Sequence, residues 1–314
     1  MVTGGAGFIG SHLCERLLAD GHSVLAIDNL LTGSSANVDI LRRFENFEFL
    51  NHDVTHPFDA QADLFFHLAS PASPRGYYEH PMATAMTNAL GTKHVLDLCR
   101  RHKARMLITS TSEVYGEPEQ HPQREDYWGN VNPIGLRACY DESKRFAEAI
   151  TFVAIREYGV DARVVRLFNT YGPRMDPVDG RIVPNFITQA LRNEPITVYG
   201  DGSQTRSLCY VDDLVRGLLK MATADGVTGQ VVNLGNPDEH TVLEYANLIR
   251  ELIGSSSELV YRDLPENDPS RRRPDITRAR TLLNWSPSVE LRDGLSRTIE
   301  WFRETLAGRA KATP

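Results

Sequence analysis

Thr3-Gly-Gly-Ala-Gly-Phe-Ile-Gly10 decides the fold of this chain. Gly4, Gly7 and Gly10 recur at three-residue spacing, directly ahead of a helical pattern. In that pattern, Ser11–Ala19, Leu13, Leu17 and Leu18 share a face and Gly21 supplies a left-handed cap. Residues without side chains let the backbone approach a pyrophosphate, and a helix N-terminus offers free N–H groups and partial positive charge. The next run, Ser23-Val-Leu-Ala-Ile27, leads to Asp28, placed to hydrogen-bond an adenosine ribose and to repel a 2′-phosphate, so NAD is favoured over NADP. A glycine triplet alone also describes a structural turn; the helix, strand and acid that follow it argue for the ligand. Only Met1, Val2 and Thr3 precede the glycines, so the first strand is expected to be truncated, or the native start to lie upstream.

Outward from this loop, short β-rich runs alternate with helical stretches. Phe47–Leu50, Leu64–Leu68, Met106–Thr109 and Ala162–Leu167 read as strands, several nearly continuous in apolar residues, as suits a parallel sheet covered on both faces. Met82–His102 and Tyr140–Tyr158 read as long helices, which makes the fold a Rossmann-type, doubly wound α/β sheet. After Leu167 the chain turns richer in Gly, Pro, Asn and Arg, with a helix over Ile182–Arg192. Tyr210–Ala222 and Val231–Leu234 read as a return to the sheet, and Thr241–Leu252 and Leu291–Leu306 as further helices. The expected division is 1–167 plus about 208–236 for the dinucleotide, about 168–207 plus 237–306 for a smaller discontinuous substrate domain, and a disordered tail over 307–314.

Composition limits the functions available. The 314 residues are 41% apolar and 24% charged, an ordinary globular balance, and 34 basic against 41 acidic residues leave a net charge of −7. That bulk charge argues against nucleic acid or an anionic membrane as partner. Cys14, Cys99, Cys139 and Cys209 are scattered among apolar neighbours, the pattern of reduced thiols; no metal spacing is visible among them or the ten His, and no run approaches a membrane span. A soluble cytoplasmic protein without a metal is expected.

Two further motifs carry chemistry. In Tyr140-Asp-Glu-Ser-Lys144 the four-residue separation puts Tyr140 and Lys144 on one helix face, where an ammonium would stabilise a phenolate and lower the tyrosine pKa. Such a pair also occurs by chance on helix surfaces. Ser110-Thr-Ser-Glu-Val-Tyr-Gly116 follows a strand directly, at the end where open α/β sheets bind ligands, although a turn or cap would use the same residues.

These motifs, in this order, resemble the extended short-chain dehydrogenase/reductase superfamily from Val2 to about Phe302. His67-Leu-Ala-Ser-Pro-Ala-Ser-Pro74, Glu125-Asp-Tyr-Trp-Gly129, Asn132-Pro-Ile-Gly135, Arg137-Ala-Cys-Tyr-Asp-Glu142, Phe168-Asn-Thr-Tyr-Gly-Pro-Arg174, Asn233-Leu-Gly-Asn-Pro237 and Arg272-Arg-Pro-Asp-Ile276 look like the UDP-glucuronic acid decarboxylase family. The resemblance departs at Met86, where animal members carry a Lys that contacts substrate, and at the clipped N-terminus. It implies NAD as cofactor, UDP-glucuronate as substrate, and a homodimer through Met82–His102 and Tyr140–Tyr158, the latter carrying the apolar stripe Phe146, Ala149, Ile150, Val153 and Ala154. It implies Tyr140, Lys144, Thr111, Ser112, Glu113 and Arg272 as catalytic residues. Related dehydratases carry an Asp where Ser112 stands; a serine is a poor acid for expelling water.

The resemblance further implies a cofactor site that takes in Gly4, Gly7, Phe8, Ile9, Gly10, Asp28, Asn29, Thr32, Gly33, Asp53, Val54, Leu68, Ala69, Ser70 and Asn88. Substrate contacts are expected from Ser73, Thr87, Asn169, Gln204 and Arg272. Arg174, Arg181 and Arg206 are read as forks for the diphosphate or the carboxylate, and Tyr199 and Tyr210 as neighbours of the uridine. The alternatives are a UDP-glucuronate 4-epimerase or another NAD-dependent sugar-nucleotide epimerase and, in a different class, a non-catalytic NAD sensor or scaffold.

Overall fold

The computed structural model describes residues 1–264 and 271–312, with side chains to residue 308. Among them, seven parallel strands form the central sheet in the order β3 (Phe47–Asn51), β2 (Val24–Asp28), β1 (Val2–Thr3), β4 (Leu64–His67), β5 (Arg105–Thr111), β6 (Ala162–Leu167) and β11 (Val231–Leu234). Strand β1 is only two residues long, yet it is paired on both sides. Adjacent strand residues serve opposite cores. Ala26, Phe66 and Val165 pack with Leu13 and Leu18 of α1 (Phe8–Ala19) and Leu214 and Leu218 of α8 (Val211–Thr223). Ile27, Phe65 and Val164 pack with Val95 and Leu98 of α5 (Thr92–His102) and Ala147 and Ala154 of α6 (Ala138–Tyr158). Burial of both faces is why these strands read as continuous apolar runs.

The chain lays β2 and β3 on one side of β1 and then crosses to place β4 on the other, which opens a crevice at the C-terminal ends of β1 and β4. Helices α2 (Ser35–Leu41), α3 (Pro74–Glu79) and α4 (Pro81–Met86) follow strands β2 and β4. Over the crevice lie β7 (Thr170–Tyr171) paired with β10 (Cys209–Tyr210), α7 (Ile182–Leu191), and β8 (Ile196–Tyr199) paired with β13 (Leu259–Arg262). There β9 (Thr205–Ser207) pairs antiparallel with β12 (Glu239–Thr241), followed by α9 (Val242–Ile253), α10 (Thr277–Leu283) and α11 (Leu291–Ala312).

Three sequence expectations are corrected. Val231–Leu234 is a sheet strand, but beyond Tyr210 the companion segment is helix α8; its buried Val211, Leu214, Val215, Leu218, Met221 and Ala222 follow a helical period. The helix expected over Met82–His102 is interrupted at Thr87–Gly91 by a π-helical turn, a device that re-aims side chains near functional sites. The final helix, anchored in the core by Leu295, Ile299 and Phe302, runs to Ala312, past residue 307, where a disordered tail was expected; residues 313–314 lie outside the described residues. No described helix is long and apolar enough to cross a membrane, and all four cysteines are free.

Candidate active site

A cleft of about 1280 Å³ opens at the sheet's switch point, lined by the glycine loop, the end of β4, the end of β5 and the segments over the crevice. Its glycines are required by close approach. A Cβ at Gly10 would lie 2.0 Å from Gly4 O, and one at Gly4, where φ is +73°, would lie 2.8 Å from Ala69 N. Asp28 ends β2 and accepts hydrogen bonds from Ala6 N (3.1 Å) and Leu30 N (2.9 Å), while a Cβ on Gly33 would fall 2.7 Å from its Oδ1. Burial pushes this carboxyl up; the two backbone N–H groups oppose that. Ser70 Oγ and Ser110 Oγ are buried in the cleft wall with no hydrogen-bond partner in the protein. Glycine-tight loops, an acid at the strand end and unpartnered hydroxyls fit a polar dinucleotide.

Helix α6 presents Tyr140 and Lys144 to the cleft, both buried. Lys144 Nζ donates to Thr109 O (2.9 Å), and burial pushes its ammonium down to about 8. The Tyr140 hydroxyl is hydrogen-bonded to the Thr111 side chain and its ring stacks on Tyr77 at 5.2 Å. Burial pushes the phenol up, and Glu113 and Asp141 add to this, so the lowered pKa expected from the Tyr–Lys spacing is not found; desolvation and two carboxylates outweigh the Thr111 hydrogen bond and Arg181.

Beside this pair sits a charge cluster. Glu113 Oε2 receives both Arg137 Nη2 and Arg272 Nη2, the latter at 3.2 Å, while Ser112 Oγ donates to Oε1 at 3.2 Å. Burial alone would raise the Glu113 carboxyl, but Arg272 and Arg137 hold it below the ordinary range. Arg272 is 2% exposed and also donates to Gly116 O (3.0 Å). Behind Arg137 stands Asp141, with Oδ2 3.7 Å from its Nε and Oδ1 buried without a partner; burial and then Glu113 push this carboxyl up to about 7. Arg137, Asp141 and Tyr77 were not singled out from sequence as site residues. Arg137 and Asp141 stand four apart beside Tyr140 in the quoted Arg137-Ala-Cys-Tyr-Asp-Glu142 string, the one signal that points to them.

The structure brings all but two of the expected site residues, Asn88 and Tyr210, to the cleft wall, from Phe8, Ile9, Asn29, Thr32, Asp53, Val54 and Leu68 to Ser73, Thr87, Asn169, Tyr199 and Gln204. Asn88 lies behind the wall, 1% exposed, donating to Ser143 Oγ (2.9 Å) between Tyr140 and Lys144 of α6. Arg174 is ion-paired with Glu15 of α1, close to the glycine loop, with Nη1 buried and unpartnered; Arg181 Nε is held by Asp179 (2.8 Å), and Arg206 donates to Thr205 O (2.8 Å). Tyr210 does not line the cleft, because its ring is buried edge-on against Tyr171 at 5.6 Å. Met86 is 39% exposed and likewise outside it. Among the described residues no group of three His, Cys, Asp or Glu is placed to hold a metal.

A profile of the NAD dependent epimerase/dehydratase family matches residues 1–235. The chain belongs to that family. Within it, the chain is 52% identical over 310 residues to UDP-glucuronic acid decarboxylase 1 of Danio rerio, covering 99% of this chain and 74% of that one. It is 51% identical over 311 residues to UDP-glucuronic acid decarboxylase 4 of Arabidopsis thaliana, covering 99% and 70%. Among solved structures of this epimerase/dehydratase fold, an epimerase from Methanothermobacter thermautotrophicus superposes with a TM-score of 0.91 at 32% identity, covering 99% of this chain and 94% of that one. UDP-glucuronic acid 4-epimerase from Bacillus cereus, solved with UDP-glucuronic acid and NAD, gives a TM-score of 0.86 at 28% identity, covering 97% and 98%.

Proposed function

We infer that the protein is an NAD-dependent carboxy-lyase that converts UDP-glucuronate to UDP-xylose and carbon dioxide. Similarity to the decarboxylases over nearly the whole chain supports the reaction. The geometric observation that carries it is Glu113, held ionised by Arg272 and Arg137 beside Tyr140.

The residues that would hold NAD are the Gly4–Gly10 loop, Asp28, and the strand-end serines Ser70 and Ser110; the cofactor supplies reversible two-electron oxidation at C4 of the sugar. Tyr140 takes the C4 hydroxyl proton as its phenolate, a form that burial opposes and that its hydrogen bond to Thr111 and the charge of Arg181 favour, with Lys144 on the same helix face. Oxidation at C4 leaves the C6 carboxylate β to a ketone. The C5–C6 bond then breaks, its electron pair moves to the C4 oxygen, and the Tyr140 hydroxyl hydrogen-bonds the enolate. A proton from solvent is then added to C5 in place of the departed carboxylate and C4 is reduced again, with no net use of cofactor. Because its carboxyl is held low, Glu113 is suited to orienting Arg272 and the substrate carboxylate, not to standing as an acid at rest. Arg174, Arg181 and Arg206 offer guanidiniums to the diphosphate from the covering segments.

We divide the chain accordingly, with 1–167 plus about 208–236 serving the cofactor and about 168–207 plus 237–306 the sugar nucleotide. We further propose a cytoplasmic homodimer. Phe146 and Val153 on α6 are 51% and 39% exposed and Leu90 on the packed neighbouring helix is 41% exposed, an apolar face suited to a second copy.

Incubation with UDP-glucuronate and NAD⁺, following carbon dioxide and the nucleotide sugar by NMR, tests the reading. Carbon dioxide with UDP-xylose supports it. An epimerised uronate without carbon dioxide would make the protein a 4-epimerase, and no turnover with any UDP-sugar would make it a binding protein.

A further inference from the structure

Arg272 reaches Glu113 across 159 residues of sequence, and both of its guanidinium contacts leave its own backbone unfixed. What fixes that segment is Gln123, 0% exposed. Gln123 N donates to Arg273 O (2.9 Å) and its carbonyl accepts from Asp275 N (2.8 Å), a parallel bridge opposite Pro274. Its side chain completes the clasp: Oε1 accepts from Arg273 N (2.8 Å) and Nε2 donates to Gln120 O (2.8 Å), with His121 Nδ1 at 3.5 Å. Asn233, on sheet strand β11, donates Nδ2 to Gln123 O (3.0 Å) and Asp275 O (3.2 Å), and its Oδ1 accepts from Tyr115 OH (2.7 Å). Tyr115 lies two residues beyond Glu113, so one buried frame holds both members of the Glu113–Arg272 pair against the sheet.

We propose that Gln123 is a positioning residue for decarboxylation: by clasping Arg273–Asp275 it sets the Arg272 guanidinium on Glu113. The proposal rests on the role given to Arg272 above. An amide suits the position because it accepts from Arg273 N and donates to Gln120 O at once. A neutral, protonated Glu can do both; Met fills nearly the same volume and can do neither.

The test is carbon dioxide release from UDP-glucuronate by the full-length enzyme with NAD⁺, for Gln123→Met, Gln123→Glu, Arg272→Ala and the Gln123→Met/Arg272→Ala double variant. Gln123→Met is expected to lower kcat by about 10- to 100-fold, with KM for UDP-glucuronate and NAD affinity little changed, as displacement of a catalytic group does. Gln123→Glu is expected to recover most of the rate. The double variant should be no slower than Arg272→Ala, since residues acting through one another do not add. A wild-type rate in Gln123→Met, a double variant slowed by the full product of the two effects, or loss of NAD binding in Gln123→Met would overturn the proposal; the last would make Gln123 a support of the whole fold. Wild-type release by Arg272→Ala alone would instead overturn the assignment of Arg272 on which the proposal rests.

Discussion

Arg272 Nη2 stands 3.2 Å from Glu113 Oε2, and the same oxygen is shared with Arg137. Two guanidiniums on one buried carboxylate oxygen keep Glu113 charged where burial alone would neutralise it. Cations without this acid would hold a substrate carboxylate tightly; the acid divides their attraction.

Arg137→Ala removes one of the two charges that hold Glu113 low. The Glu113 carboxyl should rise, so the activity that needs it ionised should be lost at a higher pH as the solution is acidified. A pH profile of kcat/KM is expected to show its acid limb moved upward, with the rate at neutral pH down by about 10-fold or more, as for loss of a charge-assisted hydrogen bond. An unmoved acid limb would separate Arg137 from Glu113.

Asp141 makes a stability prediction. Its carboxyl is raised from 3.8 to about 7, chiefly by burial, so the native state holds a proton that the unfolded chain has released. The associated stability is present below about 4 and lost as pH rises through about 7. Asp141→Asn should therefore raise the melting temperature at pH 8 more than at pH 4, by about 2–4 °C for each kcal/mol relieved. Equal shifts at both values would contradict this.

Asp28→Asn removes the carboxylate charge and one of its two acceptor oxygens, of which Oδ2 takes Ala6 N and Oδ1 takes Leu30 N. Calorimetric titration should show NAD bound at least about 10-fold more weakly, and the preference for NAD over NADP narrowed. Unchanged affinity for both cofactors would place the ribose elsewhere.

The exposed Phe146 and Val153 on α6 predict association. Light scattering at micromolar concentration should give twice the 35.2 kDa of one chain, and Phe146→Glu should move the mass toward the single-chain value. A mass near 35.2 kDa for the unaltered protein would reject the dimer.

What the sequence disclosed was local. The glycine spacing, Asp28 at a strand end and Tyr140 with Lys144 one helical turn apart are each fixed within a few residues, and the cleft contains them all. Tyr210 went astray because what a side chain meets is set by packing: its ring is consumed by Tyr171. Asn88 was expected at the cofactor, but the π-helical turn aims it at Ser143 instead, and nothing in the string Thr87–Gly91 announces that turn. Segment Val211–Thr223 shows the opposite failure, a helical period present in the sequence and passed over for sheet. Arg137 and Asp141 acquire meaning only when Glu113, 24 residues before Arg137, arrives beside them.

The measurement that bears most directly on the reaction is stopped-flow absorbance for NADH, run in parallel with carbon dioxide release, on Glu113→Gln and Arg272→Ala. In the proposed reaction, oxidation at C4 would rely on Tyr140, Lys144 and Thr111, whereas loss of carbon dioxide would also need the charge pair. Both variants should bind NAD and UDP-glucuronate and form NADH, while carbon dioxide release falls by at least about 10-fold, the loss expected for a charge-assisted pair. Release of carbon dioxide at the wild-type rate by either variant would contradict the role given to that residue.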